Sequence, residues 1–121
     1  MASLPMNSSA QPTRRIASNL LWTPQGLVRN PLITLSAEGR LLRVETCPEP
    51  DRRPATEFYS GLLVAGFPAD YRAAFVRLRE VGLPLGEALP ALVHPDGVAV
   101  VLSGLDYDTL RLTPRSAILK L

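Results

Sequence analysis

Apolar residues recur along this chain with two different periods, and the change falls just after Pro68. Before it, short runs rich in Leu, Ile and Val are bounded by Pro and Gly, which is the pattern of strands and turns. Residues 16–22, IASNLLW, predict a first strand, and Thr23-Pro24-Gln25-Gly26 a turn, because Pro and Gly sit where turns need them. Residues 31–35 and 40–45 are two β-rich runs around Ser36-Ala37-Glu38-Gly39, the pattern of a hairpin. The second run alternates only in part, as expected of a sheet with one wet face. Residues 56–64, TEFYSGLLV, predict a further strand, with Gly61 marking a bulge or a close backbone contact.

From Tyr71 the period lengthens. Tyr71, Ala74, Phe75, Leu78 and Val81 recur at steps of three and four, one face of an amphipathic helix, with Arg72, Arg77, Arg79 and Glu80 on the other. Pro68 and Asp70 suit its start; Gly82, followed by Pro84, suits its stop. The stripe reads as core packing. Residues 85–93 predict a second short helix interrupted by Pro90, and His94-Pro95-Asp96-Gly97 a turn. Residues 98–102, VAVVL, predict a buried strand, and residues 117–121 a last one after a polar connection. Six or seven strands around one or two helices result.

At 121 residues, with 46% hydrophobic and 20% charged positions, the chain reads as one globular domain. The polar start, residues 1–14, is expected to be a flexible arm without the order of a secretory signal, and residues 15–121 a single domain with a helical segment at about 69–93. No apolar run reaches the roughly 18–20 residues of a spanning helix, so no membrane partner is expected. The formal charge is +2, but the arginines are scattered and form no basic stripe, so no nucleic-acid partner is expected. A single cysteine, Cys47, excludes a disulfide within the chain and fits a reduced, cytoplasmic compartment.

Signals for chemistry are weak throughout. One histidine, His94, and one cysteine fall short of the ligands that converge on zinc, and no H-x-H, H-E-x-x-H or C-x-x-C spacing occurs. A Ser-His-Asp site would have to use His94, which sits in a turn, and no G-x-S-x-G elbow is present. Phosphate-cradling Gly-rich motifs are absent from the sequence. Asp106 and Asp108 would share one side of an extended segment, yet they read as a solvated connection; Glu49 and Asp51 read as solvated in a proline loop at residues 47–54. Catalytic, metal-binding and cofactor-binding residues are therefore expected to be none, and cofactors none.

Two segments carry a resemblance. Asn30-Pro31-Leu32-Ile33-Thr34-Leu35 with Glu38-Gly39-Arg40-Leu41, and Gly61-Leu62-Leu63-Val64-Ala65-Gly66-Phe67, resemble the opening hairpin and the strand that leads into the barrel in the metal-dependent amidohydrolase superfamily, its deaminase- and chlorohydrolase-like branch. Residues 98–102 and Asp108-Thr109-Leu110-Arg111-Leu112-Thr113-Pro114 resemble the strands that return after that barrel. In that family strands from both ends form one composite β-sandwich. The roughly 250 residues of a TIM barrel are missing between them. By register the family's two metal-binding histidines would fall at Tyr71 and Ala73, neither of which offers an imidazole.

The resemblance implies a mainly β, α+β fold: a composite β-sandwich of N- and C-terminal strands with one or two packed helices and no TIM barrel. It implies a non-catalytic binding or protein-interaction module, expected as a homodimer because loss of the barrel would bare an apolar face. Two alternatives are a hydrolase subunit completed by a barrel from another chain, and a small-ligand binder using a pocket between helix and sandwich, with Arg72 or Arg77 holding an anion.

Overall fold

Leu62, Leu63 and Val64 form a continuous apolar run, and such a run needs cover on both faces of its strand. The structure is a computed structural model that describes residues 13–46 and 56–121. In chain order the elements are β1 (Arg14–Thr23), β2 (Gly26–Arg29), β3 (Pro31–Leu35), β4 (Leu41–Thr46), β5 (Thr56–Phe67), helix α1 (Tyr71–Val81), the single turn α2 (Leu85–Ala88) continued by a 3₁₀ turn (Leu89–Ala91), β6 (Val98–Ser103) and β7 (Ala117–Lys120). The strands make one mixed sheet in the order β4-β3-β1-β5-β6-β7, with β2 paired to the second half of β1. β1 and β5 run parallel, and the other pairings are antiparallel. Strands from both parts of the chain thus lie side by side in a mainly β, α+β fold with no TIM barrel. The two buried layers expected of a sandwich belong here to one continuous hydrogen-bonded sheet.

On one face Leu62, Val64, Val100 and Leu102 pack with Trp22 and Phe67 beneath Ala74, Phe75 and Leu78 of α1 and beneath Leu85 and Leu89. Burial of each large apolar side chain here contributes about 1.5–3 kcal/mol. Gly82 ends α1 in the left-handed conformation (φ 71°), its N–H donating to the Leu78 carbonyl. On the other face Leu21, Leu63 and Val101 form a cross-strand row and join Ile16, Ile33, Leu35 and Ala99. β3 and β6 are not neighbours in the sheet, yet their side chains belong to one buried cluster with those of β1 and β5, on the face toward which the sheet curls.

A bulge contributes to that curl. Ser18 pairs with Tyr59 but Leu20 pairs with Leu62, so Ser60 and Gly61 together oppose Asn19. Asn19 Oδ1 accepts from Ser60 Oγ at 3.1 Å and from the Gly61 N–H at 2.9 Å. Gly61 has φ 141°, and a Cβ there would stand 2.4 Å from the Leu102 carbonyl oxygen. The glycine therefore marks both a bulge and a close contact.

Some expectations shift. β2 was not anticipated: Pro24-Gln25 form a two-residue turn after which residues 26–29 pair back on β1. The strand begins at Arg14, inside the expected arm, because Arg14 is held by Glu57; residues 1–12 lie outside the described residues. So do residues 47–55, and with them Cys47, Glu49 and Asp51. Val81 is exposed although it belongs to the helical stripe, because the core beneath α1 ends at Leu78. Asp70 makes no side-chain cap; its carboxylate faces Arg77 at 3.7 Å.

Candidate functional site

Backbone contact between the end of β5 and the His94 turn builds the mouth of a cleft. Gly66, near the end of β5, has φ 83° and accepts a hydrogen bond through its carbonyl from the His94 N–H at 2.9 Å. A Cβ on Gly66 would lie 2.6 Å from the His94 carbonyl oxygen, so glycine is required for this turn to lie against β5. The Gly97 N–H closes the turn onto the His94 carbonyl at 3.1 Å. The β3–β4 tip curls over to meet it: Arg40 Nη2 is 3.8 Å from Asp96 Oδ1.

Between these parts lies an open cleft of about 680 Å³, walled by Trp22, Leu41, Val44 and Val93, with Arg40 and His94 as its ionisable groups. Its volume falls within the range of pockets that hold small molecules. The Arg40–Asp96 pair is mostly exposed and adds little to stability. The arrangement can seat an apolar body beside one cation. The sole hydroxyl in its lining, on Thr23, donates to the Gly26 carbonyl at 2.6 Å.

The other sequence candidates stand elsewhere. Arg72 lies over the Tyr71 ring, 5.5 Å from its centroid, and Arg77 faces Asp70. Neither lines the cleft; the cation that does is Arg40, which sequence reasoning read only as part of a hairpin. Tyr71 and Ala73 fall in the first turn of α1. Asp106 and Asp108 are not on an extended segment: Asp106 Oδ1 accepts from the Asp108 N–H at 3.0 Å and from the Thr109 N–H at 3.4 Å, so the carboxylate stabilises a turn. Among the described residues no three His, Cys, Asp or Glu side chains gather as a metal site, and no helix is long and apolar enough to cross a membrane.

One polar cluster escaped sequence reasoning. Arg14 grips the Glu57 carboxylate through two hydrogen bonds, at 2.8 and 2.7 Å, and Tyr59 donates to the same carboxylate at 2.7 Å. The Arg14 hydrogen bond, then that of Tyr59, lowers the Glu57 carboxyl from 4.5 to about 2. Bonding to that carboxylate, with partial burial, raises the Tyr59 hydroxyl. Arg14 also donates to the Leu121 carbonyl, tying β1 to the residue after β7. Arg14 and Glu57 are 43 residues apart, so only strand pairing could reveal the contact. Every strong contact it makes is internal, which makes it a clamp.

Beside the cleft, β4 leaves apolar side chains in solvent: Leu42 is 59% and Val44 41% exposed. Comparison with known proteins adds no assignment, since no family model, curated protein or solved structure matches the chain.

Proposed function

We propose that this chain is a non-catalytic binding or protein-interaction module, a barrel-less relative of the amidohydrolases. One observation carries the reading. At Pro68–Tyr71, where a barrel would begin in that family, the chain runs instead from β5 into α1, whose Ala74, Phe75 and Leu78 pack back onto the same sheet. The apolar face that loss of a barrel would bare is covered from within.

The residues at the family's metal positions do not fit a metal. The ring of Tyr71 lies beneath the Arg72 guanidinium, and Ala73 has no donor atom. No hydrolytic step is built on them. The alternative of a hydrolase subunit completed by another chain's barrel asks for a broad bare face, and it has less support because both sheet faces carry buried clusters. A cytoplasmic location is part of the same reading, supported by the single cysteine.

The test is metal content measured beside solution mass on untagged protein. The expected result is no stoichiometric transition metal, and stoichiometric zinc would overturn the reading. The cleft favours a second role, binding of a small ligand with an apolar body and an anionic group. Trp22 is the chain's only tryptophan and lines that cleft, so its emission reports occupancy. Titration with a panel of aromatic and aliphatic carboxylates is expected to shift that emission, and Arg40→Ala to weaken the response by about tenfold, the loss of one charge-assisted contact. Unchanged emission across the panel removes this second role.

A further inference from the structure

Among the described residues β4 is the longest strand paired on one side only, with six residues against four each in β2 and β7. Such an edge offers a row of backbone N–H and C=O groups to any strand that aligns with it. Leu41, Leu42 and Val44 are 37%, 59% and 41% exposed along it. Its two faces are chemically distinct. Val44 opposes Ile33 and Leu41 opposes Leu35, so these two extend the apolar face on which Ile33 and Leu35 are buried. Arg43 and Glu45 take the opposite face, where Arg43 Nε and Glu45 Oε2 stand 3.5 Å apart.

We propose, resting on the interaction-module reading, that β4 docks antiparallel against β4 of a second copy, with the twofold axis through Val44. In this register Val44 faces Val44 of the second copy, Leu42 faces Thr46, and Arg43 and Glu45 each face the other. Both charged residues of each strand thereby meet an opposite charge. Moving the axis to Arg43 sets two guanidiniums against each other, and moving it to Glu45 sets two carboxylates. An axis midway between residues brings neither charge to the other. Directly opposed unlike charges stabilise a strand pair and like charges destabilise it, so the charge pattern selects the Val44 register. The extra residue on β4, Leu42, lies beyond the Arg43–Glu45 centre, where the register with β3 shifts and the edge bends. The pairing is self-complementary and closes at two copies.

Sedimentation velocity of the full chain, from low micromolar to near-millimolar concentration, tests this. The unmodified protein is expected to pass from monomer to dimer mass. Arg43→Glu and Glu45→Arg are each expected to weaken self-association by about tenfold or more, because each turns both cross-copy pairs into like charges. An equimolar mixture of the two variants is expected to regain the dimer, since the acidic edge of one faces the basic edge of the other. The intrachain Arg43–Glu45 contact cannot produce that recovery, because each variant remains like-charged within itself. A chain that stays monomeric throughout overturns the proposal without requiring any variant to fold, and leaves the binding-module reading to the Trp22 titration. A dimer indifferent to both variants also overturns it, while the interaction-module reading stands with a different surface.

Discussion

Strands β5 and β4 both carry leucine and valine, yet Leu62, Leu63 and Val64 are fully buried while Leu42 and Val44 are exposed. Residue type does not separate them; neighbours do. β5 has β1 on one side and β6 on the other, with α1 over one face and the curled sheet over the second. β4 has β3 alone. Apolar content therefore predicts that a strand forms, and its place in the sheet decides whether that content is buried in the fold or left exposed. By this comparison stability is concentrated at β1, β5 and β6, and the proposed binding surfaces lie at the rim formed by β4, the β3–β4 tip and the His94 turn.

The largest contrast tests that division directly. Leu63→Ala is expected to cost about 4 kcal/mol, since its neighbours cannot collapse into the space left in a fully covered row. Leu42→Ala on the edge is expected to stay within about 0.5 kcal/mol. Urea denaturation of the two variants measures both, and equal costs would erase the distinction between centre and rim.

Glycines sharpen it next. Gly61→Ala drives a Cβ against the Leu102 carbonyl between β5 and β6 and is expected to cost about 3 kcal/mol. Gly39, at the hairpin tip, also has positive φ (86°) but meets nothing within 4 Å, so Gly39→Ala is expected to cost only about 1 kcal/mol of backbone strain. Melting temperatures should fall in that order.

Two arginines of α1 give a smaller contrast. Arg79 lies 4.8 Å over the Phe75 ring and donates to the Ser116 carbonyl at 2.7 Å, joining helix to sheet. Arg79→Ala is expected to cost about 1.5 kcal/mol, and Arg77→Ala, whose partner Asp70 is exposed, less than about 0.5 kcal/mol. A double-mutant cycle with Phe75→Leu would show whether the stacking is part of that cost.

The smallest expected effect depends on pH. In the folded chain the Glu57 carboxyl titrates near 2, below its ordinary 4.5. The stability this supplies is fully present above about pH 4.5 and is lost as pH falls through about 2. Both side chains of the pair are more than a third exposed, so solvent screening limits the gain to about 1 kcal/mol. Glu57→Gln should reduce the pH dependence in that window, as measured by chemical denaturation between about pH 2 and 5.

Much of this was legible in the chain itself. The shift of period after Pro68, the helix stop at Gly82, the short helical segment interrupted by Pro90, the β3–β4 hairpin and the bulge and close contact at Gly61 are local matters, settled by backbone freedom and side-chain spacing within a few residues. β2 was not legible, because a four-residue strand carries almost no periodic signal and is held in place by its partner. The cleft was not legible either. Trp22, Arg40 and His94 come from three separate turns and strand ends, and no spacing in the sequence relates them.

The sequence by itself determined most of the segments that extend and the one long helix with its stop at Gly82, because those choices rest on φ, ψ and on which side chains must leave water. It also determined that no familiar metal or nucleophile motif is present. Tertiary structure alone decided the strand order, the parallel pairing of β1 with β5, the Arg14–Glu57–Tyr59 clamp and the curl that brings the β3–β4 tip to the His94 turn. Those contacts join residues tens of positions apart. Their selection depends on the combined burial of two apolar faces in one sheet, a sum over the whole molecule that no local stretch of the chain contains.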